Sequence, residues 1–202
     1  NHDSQAEMTK LLVNMLTTAK REATQERAAA ALWRLVRQNP GGQALIAASG
    51  GAQPLVRLLR EGVESAKAFA LWSLSLCITD ENRQVIIEAG VIGPLVDLLT
   101  SDDASVTEQS ARALGKLCCA GSSPGERRKT LVAVQSHGAI APLVALLDGP
   151  VIAARQHAAA ALSELALVPG HRKVIELCGG IPPLVKVLTD PHADGKTKKY
   201  AA

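Results

Sequence analysis

Residues Gly90–Leu99 read GVIGPLVDLL, and three other stretches of the chain resemble this segment closely. Gly50–Leu59 reads GGAQPLVRLL, Gly138–Leu147 reads GAIAPLVALL and Gly179–Leu188 reads GGIPPLVKVL. Neighbouring copies lie roughly 40 residues apart, and a period of that size with such self-similarity is typical of a stacked repeat array.

Each copy combines a residue that ends one helix with a residue that begins another. The leading glycine follows a short apolar-periodic segment, where a helix end favours the left-handed conformation that glycine adopts without strain. A proline comes four residues later, where the first turn of a helix does not need its missing N–H. These prolines are Pro54, Pro94, Pro142 and Pro183.

A third helix in each unit carries the pattern Ala-Leu-x-x-Leu, which occurs at Ala31–Leu35, Ala70–Leu74, Ala113–Leu117 and Ala161–Leu165. Short helices before the glycines are predicted at Gln43–Ala48, Arg83–Ala89, Thr130–Ser136 and Arg172–Cys178. Three helices in about 40 residues predict an all-α chain with one repeat domain, 1–202. Its expected parts are a partial repeat 1–39, repeats 40–79, 80–121 and 128–168, and a partial repeat 169–202.

The amino-acid composition indicates which residues fill the core and in which cellular compartment the protein is expected. Hydrophobic residues make up 47% of the chain but aromatic residues only 2%, so the predicted core consists of Leu, Val, Ile and Ala. The four cysteines lack C-x-x-C spacing, which predicts reduced packing residues and a cytoplasmic or nuclear location. A net charge of +3 is too small to argue for nucleic acid.

The longest connection, Ala120–Lys129, reads AGSSPGERRK and is expected to be a solvated loop. Its serines and neighbouring cations leave open a modified or partner-binding loop. The most apolar window, Leu131–Leu147, contains Gln135, His137, Gly138 and Pro142, which argues against a membrane-spanning helix.

No enzymatic or metal-binding pattern is evident. The histidines His2, His137, His157, His171 and His192 lack metal-ligand spacing, and the repeated glycines end helices instead of forming a phosphate loop. Asp102 and Asp103 are predicted to begin a helix, not to form an acid pair. The chain is therefore expected to be non-catalytic, without a cofactor or a metal.

The G-x-x-x-P-L-V-x-L-L corner, the Ala-Leu-x-x-Leu helix and ENRQVIIEAG at Glu81–Gly90 together resemble the armadillo repeat. The resemblance implies a right-handed α-solenoid in which third helices line a concave groove for partner polypeptides. Importin-like members use a Trp and Asn ladder on those helices. Here the Asn positions hold Arg34, Ser73, Lys116 and Glu164, and the Trp positions hold Ala30, Phe69, Arg112 and Ala160. The ladder is absent, which argues against a nuclear-localisation-signal receptor.

The resemblance then predicts which side chains meet a partner. The candidate groove residues are Arg27, Arg34, Arg37, Phe69, Ser73, Arg112, Lys116, His157 and Glu164. Their cationic excess favours an acidic extended or helical peptide, although charges on a helix also occur as an ordinary solvated face and Glu26 and Glu164 break the positive field. Trp33 and Trp72 fit either core packing or a binding hot spot.

The sequence therefore predicts a protein-protein interaction scaffold or adaptor. Two alternatives remain open: a substrate-recruiting arm of a larger enzyme such as a ubiquitin ligase, and a structural element of a cytoskeletal or membrane-tethered assembly.

Overall fold

The computed structural model describes residues 2–39, 41–119, 123–190 and 193–202, and within these ranges it contains helices and no β-strand. The short helices that precede the glycines are α3 (Gly42–Ala48), α6 (Arg83–Glu88), α9 (Pro124–Ser136) and α12 (Pro169–Leu177). The proline-containing helices are α4 (Ala52–Glu61), α7 (Ile92–Asp97), α10 (Ile140–Leu146) and α13 (Ile181–Thr189). Helix α1 (His2–Thr18) belongs to the predicted partial repeat 1–39 and contains no proline. The third helices are α2 (Glu22–Gln38), α5 (Glu64–Cys77), α8 (Ala104–Cys118), α11 (Ile152–Leu165) and α14 (Gly195–Ala201). A 3-10 turn, Leu98–Thr100, follows α7.

The predicted corners are confirmed residue by residue. In the described ranges, positive φ occurs at Gly50, Gly90, Gly138 and Gly179 and at no other residue. Each corner proline is the third residue of its helix, within the first turn. The left-handed glycine and the proline therefore redirect the chain between consecutive helices in every copy.

The predicted helix start at Asp102–Asp103 is also confirmed. Asp103 is the N-cap of α8, and its Oδ1 accepts hydrogen bonds from the backbone N–H of Ser105 at 2.8 Å and of Val106 at 3.3 Å. These two donors have no partner within the helix, so the carboxylate has a structural task.

The prediction of a loop at Ala120–Lys129 is wrong over most of this range. Helix α9 already begins at Pro124, and the Ser123 hydroxyl caps it by accepting from the Glu126 N–H. Proline is suited to the first position of a helix, and serine to the cap before it. Residues 120–122, which belong to the same predicted loop, lie outside the described residues.

The contacts divide the chain into two compact units, Asn1–Pro94 and Leu95–Ala202. In the first unit, α2 packs against α1 and α5, and α4 packs against α5. In the second unit, α11 packs against α8, α10 and α14. The repeat boundaries inferred from the sequence stay a prediction.

Aliphatic side chains fill both interiors. The largest fully buried side chains in the described part of the chain are leucines and isoleucines, among them Leu32, Leu55 and Leu71 in the first unit and Leu114, Ile140 and Leu143 in the second. The composition predicted this core. Leu55, Leu95 and Leu143 occupy equivalent buried positions, whereas the matching Leu184 is half-buried.

Candidate functional site

The two third helices of the first unit, α2 and α5, pack side by side and bring three aromatic rings together. Trp33 lies 5.3 Å from Trp72 and 5.8 Å from Phe69, and the Phe69 and Trp72 centroids are 5.5 Å apart in an edge-to-face arrangement. We call Trp33, Phe69 and Trp72 the aromatic cluster. All three side chains are half-buried, so each ring also meets solvent.

One arginine of α2 lies against this cluster. The Arg37 Cζ atom lies 4.6 Å from the centre of the Trp33 ring, within the range of a cation-π contact. Arg27 and Arg34 are exposed on the same helix. The sequence therefore identified the cations of this surface, but not that one of them covers a tryptophan.

Ser73 does not belong to this surface. Its side chain is 0% exposed, and its hydroxyl donates a hydrogen bond of 2.8 Å to the Phe69 carbonyl oxygen. The sequence placed Ser73 in the groove because it occupies the ladder position of the repeat. Here a small hydroxyl satisfied by its own helix lies inside the packed unit and cannot contact a partner.

The second unit carries a different surface, in which α8, α11 and α14 pack in succession. Arg112 and Lys116 lie one turn apart on α8 and are half-buried, as is His157 on α11. Helices α8 and α11 are in contact at Gly115, where a Cβ atom would lie 3.5 Å from the His157 carbonyl oxygen, an ordinary contact distance.

The surroundings of His157 disfavour protonation of its side chain. Burial lowers the pKa of the imidazole below its ordinary value of 6.5. Three cations lower that pKa further, in the order Arg112, Lys196 and Lys116. Positive charge from α8 and α14 therefore acts on one point of α11. The sequence analysis did not select Lys196. Its position on α14, a third helix, is the signal that would have identified it.

Glu164 is paired instead of facing outward as an isolated negative charge. Its Oε2 atom accepts from the Arg127 Nη2 atom of α9. The sequence missed Arg127 because it assigned this residue to a solvated loop. Since Arg127 belongs to a helix, its position is defined and it neutralises the carboxylate that interrupted the predicted positive field.

An apolar cavity of about 440 Å³ also lies in the second unit, between α11, α12, α13 and α14. It is lined mainly by aliphatic side chains such as Leu162, Ile175 and Leu184, together with Tyr200. None of the residues predicted as a binding site lines this cavity. The charged surface of α8 and α11 is therefore a separate feature.

The described ranges contain no group of His, Cys, Asp and Glu residues arranged to hold a metal ion. The side chain of His2 and all of His192 fall outside these ranges. No single helix there is long and apolar enough to cross a membrane. Helices α9 and α10 reach that length and composition only as a pair bent by 81°.

Comparison with known proteins identifies the repeat. Residues 79–119 match the Armadillo/beta-catenin-like repeat. The crystal structure of an engineered protein is 31% identical, with a TM-score of 0.77 and coverage of 96% of this chain and 76% of that chain. A computationally designed armadillo repeat protein for modular peptide recognition is 26% identical, with a TM-score of 0.79, and the match covers 95% of this chain and 78% of that chain. The chain belongs to the armadillo-repeat family, and its fold is the all-α repeat fold of that family.

A natural relative is U-box domain-containing protein 19 of Arabidopsis thaliana, which is 32% identical over 121 residues. The match covers 59% of this chain, and the chain spans only 17% of that relative's length. Together, the armadillo repeat and the designed neighbour made for peptide recognition support a protein-interaction scaffold.

Proposed function

We propose that the chain is a non-catalytic module that binds an acidic segment of a partner protein along the exposed faces of its third helices. The observation that carries this proposal is the cation set around His157. Arg112, Lys116 and Lys196 all lower the pKa of that imidazole. Carboxylates of a partner would relieve this repulsion, which gives them an electrostatic advantage over neutral or basic segments.

The remaining charges of the third helices support the same preference. Arg127 offsets Glu164 in the second unit. Arg27, Arg34 and Arg37 lie exposed on α2 in the first unit. Arginine forms paired hydrogen bonds with a carboxylate, so these side chains supply direction as well as charge.

A binding titration tests the proposal. The probe is a fluorescein-labelled peptide of alternating Glu and Gly, compared with a peptide of alternating Lys and Gly. We expect the acidic peptide to bind and the double variant Arg112→Glu, Lys116→Glu to weaken it by about 10-fold or more. The matched control is Arg128→Glu, Lys129→Glu, which makes the same change in net charge on the exposed surface of α9. Equal losses in both variants, or no preference for the acidic peptide, would overturn the proposal.

A second candidate function is favoured by the natural relative. The chain spans a small part of a protein that is named for a U-box domain. We therefore also propose that these repeats are the partner-recruiting part of a larger protein such as a ubiquitin ligase. The complete coding sequence tests this candidate, because a catalytic or U-box domain outside these residues is the expected finding and its absence would exclude the candidate.

The proposed location is the cytoplasm or the nucleus. Cys77 and Cys118 are buried in the helical packing, as expected for cysteines that serve as small apolar residues in a reducing compartment. A fluorescent fusion of the full-length protein tests this location, and secretion of the fusion would contradict it.

A further inference from the structure

The few aromatic residues of this chain are concentrated at one point of its surface. The sequence contains two tryptophans, one phenylalanine and one tyrosine, and three of these four residues form the aromatic cluster. The described interior is filled by leucine and isoleucine, and no aromatic side chain is among its largest fully buried ones. The three rings are therefore not needed to fill the core. Their position on the surface has another explanation.

The geometry of the aromatic cluster suits a binding anchor. Trp33 comes from α2, while Phe69 and Trp72 come from α5, so the rings are held by two packed helices. The rings restrain one another at centroid distances of 5.3 to 5.8 Å, and they remain partly exposed. Rigid, half-exposed aromatic surface gains contact area on binding with little loss of conformational entropy, which explains why Trp dominates binding hot spots.

Arg37 gives this apolar surface a charged edge. Its guanidinium lies over the Trp33 ring while the residue as a whole is exposed. A guanidinium stacked on a ring keeps the N–H groups at its edge available, and these groups match the two oxygens of a carboxylate. Arg34, three residues earlier, is exposed on the same helix and adds a second cation.

We infer that the aromatic cluster and Arg37 form an anchor site for a large aliphatic or aromatic side chain of the partner that is followed or preceded by Asp or Glu. The apolar side chain packs on the rings of Trp33, Phe69 and Trp72. The neighbouring carboxylate accepts hydrogen bonds from Arg37. This inference rests on the proposed function and deepens it, because it replaces a merely acidic partner by one with an apolar anchor.

The chain carries its own optical probe for this site. Trp33 and Trp72 are its only tryptophans, so a ligand that covers the cluster changes the intrinsic fluorescence directly. The probes are three peptides of equal length, built from repeats of Glu-Glu-Leu, Glu-Glu-Ala and Gln-Gln-Leu. We expect Glu-Glu-Leu to shift the tryptophan emission and to bind about 10-fold more tightly than either of the others.

Two variants separate the parts of the anchor. Arg37→Gln, at an exposed position, should weaken Glu-Glu-Leu but leave the weak binding of Gln-Gln-Leu unchanged. Phe69→Leu keeps an apolar side chain, so the variant should still fold. It should reduce the preference for Glu-Glu-Leu over Glu-Glu-Ala. Circular dichroism melting of each variant provides the folding control.

The outcomes distinguish this inference from the function on which it rests. Equal affinity for Glu-Glu-Leu and Glu-Glu-Ala, with no change in tryptophan emission, would overturn the anchor site while the acidic-partner proposal stands. Loss of binding in Arg112→Glu, Lys116→Glu with no effect of Arg37→Gln or Phe69→Leu would also overturn the anchor site. Failure of all three peptides to bind would overturn both.

Discussion

Arg127 on α9 and Glu164 on α11 form an ion pair inside the second unit, with 27% and 17% of their side chains exposed. The pair joins the first helix of one repeat to the third helix that follows it. Because it is shielded from water, the loss of one partner leaves the other charge in a place where solvent compensates it poorly. The pair also removes a negative charge from the surface that carries Arg112 and Lys116.

The first prediction concerns this pair. Arg127→Met should lower the free energy of unfolding by about 1 to 3 kcal/mol, because the Glu164 carboxylate loses its charged partner. The same change should weaken binding of the Glu and Gly peptide, since the negative charge becomes uncompensated. Urea denaturation and peptide titration measure the two effects. Arg128→Met, at the exposed neighbouring position, is the control, and equal stability of both variants would contradict the prediction.

The second prediction compares two equivalent isoleucines. Ile140 and Ile181 each begin a proline-containing helix, but Ile140 is 1% exposed and Ile181 is 52% exposed. Ile140→Ala should cost about 2 to 5 kcal/mol because it leaves a cavity, as should Leu114→Ala at another fully buried site. Ile181→Ala should cost less than about 1 kcal/mol. Chemical denaturation provides the measurement, and similar costs at Ile140 and Ile181 would show that their burial differs less than described.

The third prediction applies one substitution to two glycines with open space around them. A Cβ atom would meet nothing within 4 Å at either Gly125 or Gly138, but Gly138 has a φ of +79°. Gly138→Ala should therefore destabilise the protein by about 1 kcal/mol through backbone strain alone. Gly125→Ala, inside α9, should stabilise it by up to about 1 kcal/mol through helix propensity. Thermal denaturation measures the two melting temperatures. A shift in the same direction for both variants would refute the explanation by backbone strain.

The fourth prediction concerns pH. The pKa of His157 is held below 6.5 in the folded protein, chiefly by burial and then by Arg112, Lys196 and Lys116. As the pH falls below about 6.5, the unfolded chain takes up a proton at this residue before the folded chain does, so folding stability decreases. His157→Gln should remove this part of the decrease and leave stability above that pH nearly unchanged. Denaturation curves across this pH range measure the effect, and an unchanged pH slope in the variant would contradict it.

The same linkage makes peptide binding depend on pH. Carboxylates near His157 raise its pKa, so an acidic peptide should bind more tightly as the pH falls below about 6.5, with uptake of a proton. Isothermal titration in buffers of different ionisation enthalpy detects this proton. Binding by His157→Gln should lose the pH dependence, and a basic or neutral peptide provides the negative control.

Sequence reasoning failed at Ser123–Lys129 for a local reason. Glycine, serine and charge suggested a loop, yet Ser123, Pro124 and Glu126 are the residues that begin α9. The sequence contained the start signal of this helix, but the breaker residues before it outweighed that signal. Because Arg127 was assigned to a loop, its ion pair with Glu164 was not predicted.

The repeat, its three helices and the positions of its corners followed from the sequence alone, because they depend on local properties. Glycine at 50, 90, 138 and 179 permits a positive φ, and proline in the next first turn requires no hydrogen bond. The tertiary structure decided which side chains of the third helices reach solvent. It buried Ser73, paired Glu164 with Arg127 and gathered Trp33, Phe69 and Trp72 at the surface. Such contacts join residues that are distant in the chain, and only the packing of one helix against another determines them.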